Sequence, residues 1–230
     1  MYVERVVMSD AAKLQDQGFA IVSGPFNGAD LDSAINAHER AVDTAQPHEI
    51  RTGGTSTRVN GLLDRAPELA AIFTHPPLLA AAAALICGPF KLSAFHARSI
   101  HAGAMAQAMH QDVAPGRDGW PLLGFIFMVD AFTVENGATR FLPASAGLTE
   151  LPPGPAEANF ERACGPAGAL LLFDGSAWHG HGANATSALR RSVQGAFIPK
   201  AAIAAIDHRH AVRPEVWAAL PRKARELMDS

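Results

Sequence analysis

Leu122-Leu123-Gly124-Phe125-Ile126-Phe127-Met128-Val129 is the stretch on which the fold turns. Its apolar side chains read as a strongly hydrophobic strand. Other strands are predicted on both sides of it, at Phe19–Val22, Phe90–His101, Thr139–Leu142, Ala169–Phe173 and Arg190–Ile198, with a short extended piece over Met109–Val113. Gly and Pro punctuate the intervals. Strand follows strand without regular helices between, which argues against a doubly wound parallel sheet. The pattern favours two packed antiparallel sheets, a sandwich or a double-stranded β-helix (jelly roll, cupin-like). The predicted class is mainly β with flanking helices.

The helices cluster upstream. Ser9 or Asp10 is placed to cap a short helix ending at Gln17. Asp30 is placed to cap a longer one, in which Leu31, Ala34, Ile35, His38, Ala41 and Val42 make one buried stripe. Pro67 suits the first turn of a helix running to Phe73, and Leu78–Cys87 continues as helix until Gly88-Pro89. Pro214–Met228 reads as helix broken at Pro221. Residues 44–60 form a polar loop with some extended structure. Its Arg51, Arg58 and Asn60 are candidates for the wall of a binding site, with a solvated loop as the competing reading. Pro152-Pro153-Gly154-Pro155 marks an insertion or lid-like loop, so residues 1–230 are expected to form one domain.

Apolar residues make up 48% of the chain, enough to bury a sizeable core. The formal net charge of −3 provides no field for a phosphate backbone, so a nucleic-acid partner is not expected. The opening residues carry Glu4, Arg5, Asp10, Lys13 and Asp16 rather than a signal-like apolar run, and Pro76–Pro89 is too short to span a bilayer. A cytoplasmic enzyme acting on a small molecule, with no membrane partner, is the default reading. Oligomeric state is not fixed by the sequence. Cys87 and Cys164 lack metal-site spacing and read as two buried thiols.

The chemistry concentrates in two places. In His110-Gln111-Asp112 an extended backbone sends an imidazole and a carboxylate to the same side, a combination suited to a divalent first-row metal. Downstream, the strand Gly168–Asp174 runs into Gly175-Ser176-Ala177-Trp178-His179-Gly180-His181-Gly182-Ala183-Asn184. Two histidines in a glycine-rich turn offer a second imidazole, and two His with one carboxylate leave half of an octahedral iron open. Arg190-Arg191 then begins a strand. One guanidinium can point inward and grip an acidic cosubstrate in two parallel hydrogen bonds, but periodicity does not say which.

These motifs, in this order, resemble the phytanoyl-CoA dioxygenase family of Fe(II)/2-oxoglutarate oxygenases. Gln107–Asp112 is similar to the segment holding the family's first His and its Asp, Glu135–Pro143 to its Glu-Asn-Gly-Ala turn and following strand, and His179–Thr186 to the segment with the second His. The resemblance covers roughly Phe19–Ile198. It implies iron held by His110, Asp112 and His179, which selects His179 over His181. It also places the distal carboxylate of 2-oxoglutarate on Arg190. Fe(II), 2-oxoglutarate and O2 would be consumed or cycled in hydroxylating a C–H bond of a small metabolite, with release of succinate and CO2. Desaturation, cyclisation and epimerisation are alternative endings, and a non-catalytic small-molecule-binding jelly roll or a metal-dependent isomerase or hydrolase is an alternative class. Retention of Asp112 disfavours a halogenase. Where the family has Pro-Gly-Ser-His, this chain has Pro143-Ala144-Ser145-Ala146, which puts the local loop contacts in question.

Secondary candidates follow. Gln107 and Thr186 could touch 2-oxoglutarate, or simply stabilise loops. His96, Arg98, Trp120 and Asn60 could meet substrate, against ordinary structural roles for each. Asn184 is expected to order the glycine-rich turn, and Trp178 to pack behind the ligand.

Overall fold

The computed structural model describes residues 12–114, 121–152 and 159–229. Among the described residues, ten strands make two antiparallel sheets. Those of the larger sheet are β1 (Phe19–Ser23), β2 (Ile50–Thr52), β3 (Ser56–Val59), β4 (Phe90–Ile100), β5 (Leu123–Met128), β8 (Ala169–Asp174) and β10 (Arg190–Pro199), in the order β1-β8-β5-β10-β4-β3-β2. The smaller sheet is β7 (Glu161–Arg162), β6 (Thr139–Phe141) and β9 (His179–His181), in the order β7-β6-β9. The predicted double-stranded β-helix with helices outside its larger sheet is the observed architecture.

The continuous apolar run at Leu122–Val129 has a simple cause, because β5 is buried on both faces. Leu123, Phe125 and Phe127 join a core between the larger sheet and the helices, while Ile126 and Met128 join a second core between the sheets. Leu170 and Leu172 of β8 face the helices, and Leu171 and Phe173 face the smaller sheet. Each fully buried Phe or Leu contributes about 1.5–3 kcal/mol by leaving water. Gly124 and Gly195 make room for this packing. A Cβ on Gly124 would lie 2.1 Å from the Phe173 ring, and one on Gly195 would lie 2.3 Å from that of Phe125.

Helix α1 (Gly28–Asp43) starts two residues before the expected Asp30, with Asn27 at its N-cap position and Asp30 in its first turn. It is followed by α2 (Leu62–Arg65), α3 (Ala70–Phe73) and α4 (Pro76–Ile86). Helix α4 begins at Pro76 rather than Leu78, since prolines in the first turn forfeit no intrahelical bond. It ends on Cys87, which takes a left-handed cap (φ 54°) one residue before Gly88. The C-terminal helical stretch is broken at Pro221, as predicted, giving α6 (Pro214–Ala219) and α7 (Arg222–Met228) after a short α5 (His208–Ala211). Residues 12–17 are helical, while the caps proposed for that helix lie outside the described residues.

The structure departs from expectation at the cysteines and adds detail at two other places. Cys87 and Cys164 are both exposed, not buried. Residues 44–60 do contain extended structure, the β2–β3 hairpin, together with a 3-10 turn at Pro47–Glu49 tied down by Arg65 Nη1 to Glu49 Oε2 at 2.7 Å, and Arg58 of this segment lines the cavity between the sheets. On β4, strict alternation would put Leu92 on one face with Ala94, His96 and Arg98. A β-bulge puts Ala196 opposite Ala94 but Phe197 opposite Leu92, so Ser93 is the extra residue. The side-chain phase flips there: Leu92 joins Phe95 and Ala97 in the helix-side core, and Ser93 and Ala94 both turn to the interior of the barrel.

Candidate metal and cosubstrate site

The two halves of the proposed metal site meet through the backbone. His110 and His179 exchange both amide hydrogen bonds, each 2.9 Å, so the segment carrying His110 continues the smaller sheet beyond β9. The next residues are held down by Gly175, whose carbonyl accepts from the amides of Asp112 at 2.8 Å and Val113 at 3.2 Å. Gln111, between the two ligands, points away and donates to the carbonyls of Leu148, at 2.9 Å, and Ser176.

One carboxylate and two imidazoles converge as a result. His110 Nε2 lies 3.8 Å from Asp112 Oδ1, and His179 Nε2 lies 3.8 Å from Asp112 Oδ2. One donor atom from each of the three residues fits within 4.8 Å of the others. Adjacent ligands of an octahedral first-row ion bound at ~2.1 Å sit about 3 Å apart, so closure needs only small side-chain rotations. The tautomers suit the task. Nδ1 of His110 is 3.1 Å from the Ala108 carbonyl and Nδ1 of His179 is 2.9 Å from that of Ala177, which fixes the proton on Nδ1 and frees Nε2 for a metal. Burial, opposed by the nearby Asp112 carboxylate, lowers the His179 pKa and keeps the ring neutral. Phe141 and Phe173 flank that ring at centroid distances of 5.5 and 4.7 Å.

The ligands open into a cavity of about 390 Å³ between the sheets. Arg190 lines it, and Arg191 does not. Arg191 turns outward to Asp130, at 2.6 Å, and Glu39, which settles the orientation that periodicity left open. Arg190 is almost wholly buried, lies 4.0 Å over the Phe132 ring and donates Nη1 to the Gly137 carbonyl. That carbonyl belongs to the Glu135–Ala138 turn, where Asn136 closes a local loop by donating to Ala131 O (2.7 Å) and accepting from Thr133 N (2.9 Å). Burial and the charge of Arg98 push the Arg190 pKa down to about 9, and Asp130 pulls it up; the group stays charged at neutral pH. Its Nε is buried and has no hydrogen-bond partner among the described residues.

The other candidates divide. His96, Arg98 and Gln107 line the cavity. Gln107 is pinned through its backbone, with its amide donating to His181 O at 3.0 Å and its carbonyl accepting from Arg140 at 2.8 Å. Thr186 is in a turn outside the cavity, its hydroxyl donating to Asn184 Oδ1 at 2.7 Å. Asn60 is also outside, lining a separate pocket with Leu62 and His208 while its carbonyl accepts from Arg65. Neither is among the residues lining the cavity that holds the ligand triad. Trp120 lies outside the described residues. Asn184 orders the glycine-rich turn by donating to the carbonyls of His101 and Ala188 at 3.0 and 2.8 Å. Trp178 is anchored behind its neighbour by an amide bond to Ser145 Oγ at 2.9 Å.

Sequence reasoning overlooked Gln194, Thr139 and Ser93, which also line the cavity. Gln194 was accessible from parity: once Arg190 faces inward, residues 192, 194 and 196 follow on the same side. Ser93 was not, because nothing in its immediate sequence announces the bulge.

Comparison with known proteins agrees with this geometry. The family model for phytanoyl-CoA dioxygenase (PhyH) matches residues 14–192. The chain belongs to the phytanoyl-CoA dioxygenase family. Curated proteins similar to this chain include Dioxygenase trt7 of Aspergillus terreus, 32% identical over 153 residues (62% of this chain, 54% of the relative). Dioxygenase andF of Emericella variicolor is 29% identical over 182 residues (74% and 64%). The chain thus spans less than two thirds of the length of these curated relatives. Among solved structures, the epimerase SnoN in complex with Fe3+, alpha-ketoglutarate and a nogalamycin superposes with a TM-score of 0.68 at 19% identity, covering 85% of this chain and 84% of SnoN. HygX of Streptomyces hygroscopicus, solved with nickel, 2-oxoglutarate and hygromycin B, gives 0.66 at 13% identity, covering 85% and 88%. Both share the jelly-roll fold. No single helix among the described residues is long and apolar enough to cross a membrane.

Proposed function

We propose that this chain is a single-domain Fe(II)- and 2-oxoglutarate-dependent oxygenase that hydroxylates an unactivated C–H bond of a small metabolite, with release of succinate and CO2. The observation carrying this reading is that His110, Asp112 and His179 converge on one point in the same cavity that buried Arg190 lines. The bound metal would supply oxygen activation with oxidative decarboxylation of the cosubstrate. The chain's residues would supply the rest. His110 and His179, neutral and oriented by backbone carbonyls, and ionised Asp112 would hold the ion. Arg190 would fix the distal carboxylate, and the Gln107 amide would be within the cavity to bond the carboxylate nearer the metal. The aromatic wall around His179 would exclude water. His96 and Arg98 would face the substrate. We also retain a cytoplasmic setting as part of this reading.

The test is an anaerobic titration of the purified chain with Fe(II) and 2-oxoglutarate, followed by air and a panel of small metabolites. A weak visible charge-transfer band on adding 2-oxoglutarate, and substrate-dependent succinate release, support the reading. Absence of metal-dependent 2-oxoglutarate binding would leave a non-catalytic binding protein as the better account. Product analysis separates hydroxylation from desaturation, cyclisation and epimerisation.

A further inference from the structure

Positive charge in the cavity exceeds what the metal and cosubstrate need. Asp112 is the one carboxylate among the described residues that line it, whereas Arg58, Arg98 and Arg190 all do so. On the reading above, Asp112 and a dianionic 2-oxoglutarate are balanced by a divalent metal and Arg190. Arg98 and Arg58 are left over.

Their placement is costly unless an anion joins them. Arg58 of β3 and Arg98 of β4 are direct register partners in an antiparallel pair, so their side chains leave the same face from neighbouring positions. Like charges so placed repel and destabilise the pairing. Arg58 is exposed at the rim and can be hydrated, but Arg98 is half-buried. Burial and the Arg58 charge lower the Arg98 pKa, and the nearest opposing charge is Asp112, which the metal would claim. Neither guanidinium has an ion pair among the described residues. Two residues deeper on the same face lies His96, buried, with Nε2 lacking any hydrogen-bond partner among the described residues. Gln194 is its partner across to β10. The three side chains form one polar row along the cavity wall, on the strand pair that also carries Arg190.

We infer that Arg98 is the anion anchor of the substrate site, with Arg58 at its rim and His96 and Gln194 reading polar groups beyond, so that the substrate is a small organic acid bound through its carboxylate. This rests on the oxygenase reading and adds the substrate class to it. The charge-assisted, two-pronged bond of a guanidinium to a carboxylate would both hold the acid and cancel the repulsion between the two arginines.

The experiment uses the full chain loaded with Ni(II) and 2-oxoglutarate, which binds without turnover. Calorimetric titration compares matched aryl and alkyl carboxylic acids with their primary amides and with the corresponding phosphate monoesters. For wild type, at least one acid should bind at least 10-fold more tightly than its amide and than its phosphate ester. In Arg98→Met that preference should fall below about 2-fold, and Arg98→Lys should recover part of it. The 2-oxoglutarate affinity of Arg98→Met should stay within about 3-fold of wild type, while that of Arg190→Met drops at least 10-fold. No preference for acids in wild type, or a preference for phosphate esters, overturns the assignment of a carboxylic acid. Loss of 2-oxoglutarate binding in Arg98→Met as large as in Arg190→Met overturns it as well, and gives Arg98 to the cosubstrate. Failure of wild type to bind 2-oxoglutarate with metal present defeats the oxygenase reading and this inference together; in the other two outcomes the oxygenase reading survives.

Discussion

Ala144 holds a left-handed backbone, φ 55°, in the loop where the family pattern has glycine. An L residue with a Cβ is strained there, and neighbouring Ser145 has already fixed the loop by donating to Leu142 O at 2.6 Å and accepting from Trp178 N. Ala144→Gly should therefore stabilise the protein by about 0.5–1 kcal/mol, the relief of strain exceeding the added freedom of the unfolded chain; a urea midpoint measures it. Arg190 makes the opposite kind of prediction, one about binding alone. Arg190→Met should weaken 2-oxoglutarate by ~10–100-fold, or about 1.4–2.8 kcal/mol, while leaving metal affinity near wild type, because the guanidinium touches the Gly137 carbonyl and not the ligand triad. The triad and Arg190 were legible as residues because their chemistry is rare and their order matches a family. Their neighbours were less so: Thr186 and Asn60 carry polar groups that suit a site, yet the Thr186 hydroxyl donates to Asn184 and neither residue lines the cavity, which only three-dimensional contacts reveal.

Strands set the wall against which the site is built. The Phe173 ring on β8 touches the Gly124 position of β5 on one side and the His179 ring, at 4.7 Å, on the other. A methyl group on Gly124 must displace that ring. Gly124→Ala should cost about 1–3 kcal/mol of stability and, unlike a remote core change of equal cost, should also weaken metal binding. Thermal melts together with a metal titration check both parts. The identities of β1, β4, β5, β6, β8 and β10 were readable because β5 and β8 are apolar on both faces and Gly or Pro ends most segments, whereas β7 and β9 are too short and polar to announce themselves. Element edges and phases were not. The start of α4 depended on where two prolines are tolerated, and the face of Leu92 depended on one extra residue at Ser93.

Two further expectations concern the molecule as a whole. Burial holds His38, His181 and His208 near a pKa of about 4 and His96 near about 3, with neighbouring arginines reinforcing the shift for His38, His181 and His96. Below about pH 6.5 the unfolded chain takes up protons that the native chain refuses, so stability is at its full value above that pH and declines as pH falls toward 4. The melting temperature should drop by several degrees between pH 7.5 and 5. His38→Leu should shrink the drop, because neither ring nitrogen of His38 has a hydrogen-bond partner among the described residues. Ligands should act in the other direction. Fe(II) with 2-oxoglutarate at 100 times its Kd, under argon, should add about 2.7 kcal/mol and raise the melting temperature by roughly 5–10 °C. The reciprocal amide hydrogen bonds between His110 and His179 are the point at which metal binding meets the fold. They join stretches of chain that are remote in sequence, and the ion's coordination sphere exists only while that seam stays shut. A local parting of those two backbones would release the metal with the Phe-rich layers still intact. Iron escaping to a chelator would then report breathing at this seam, at rates matching deuterium uptake by those two amides and faster than global unfolding.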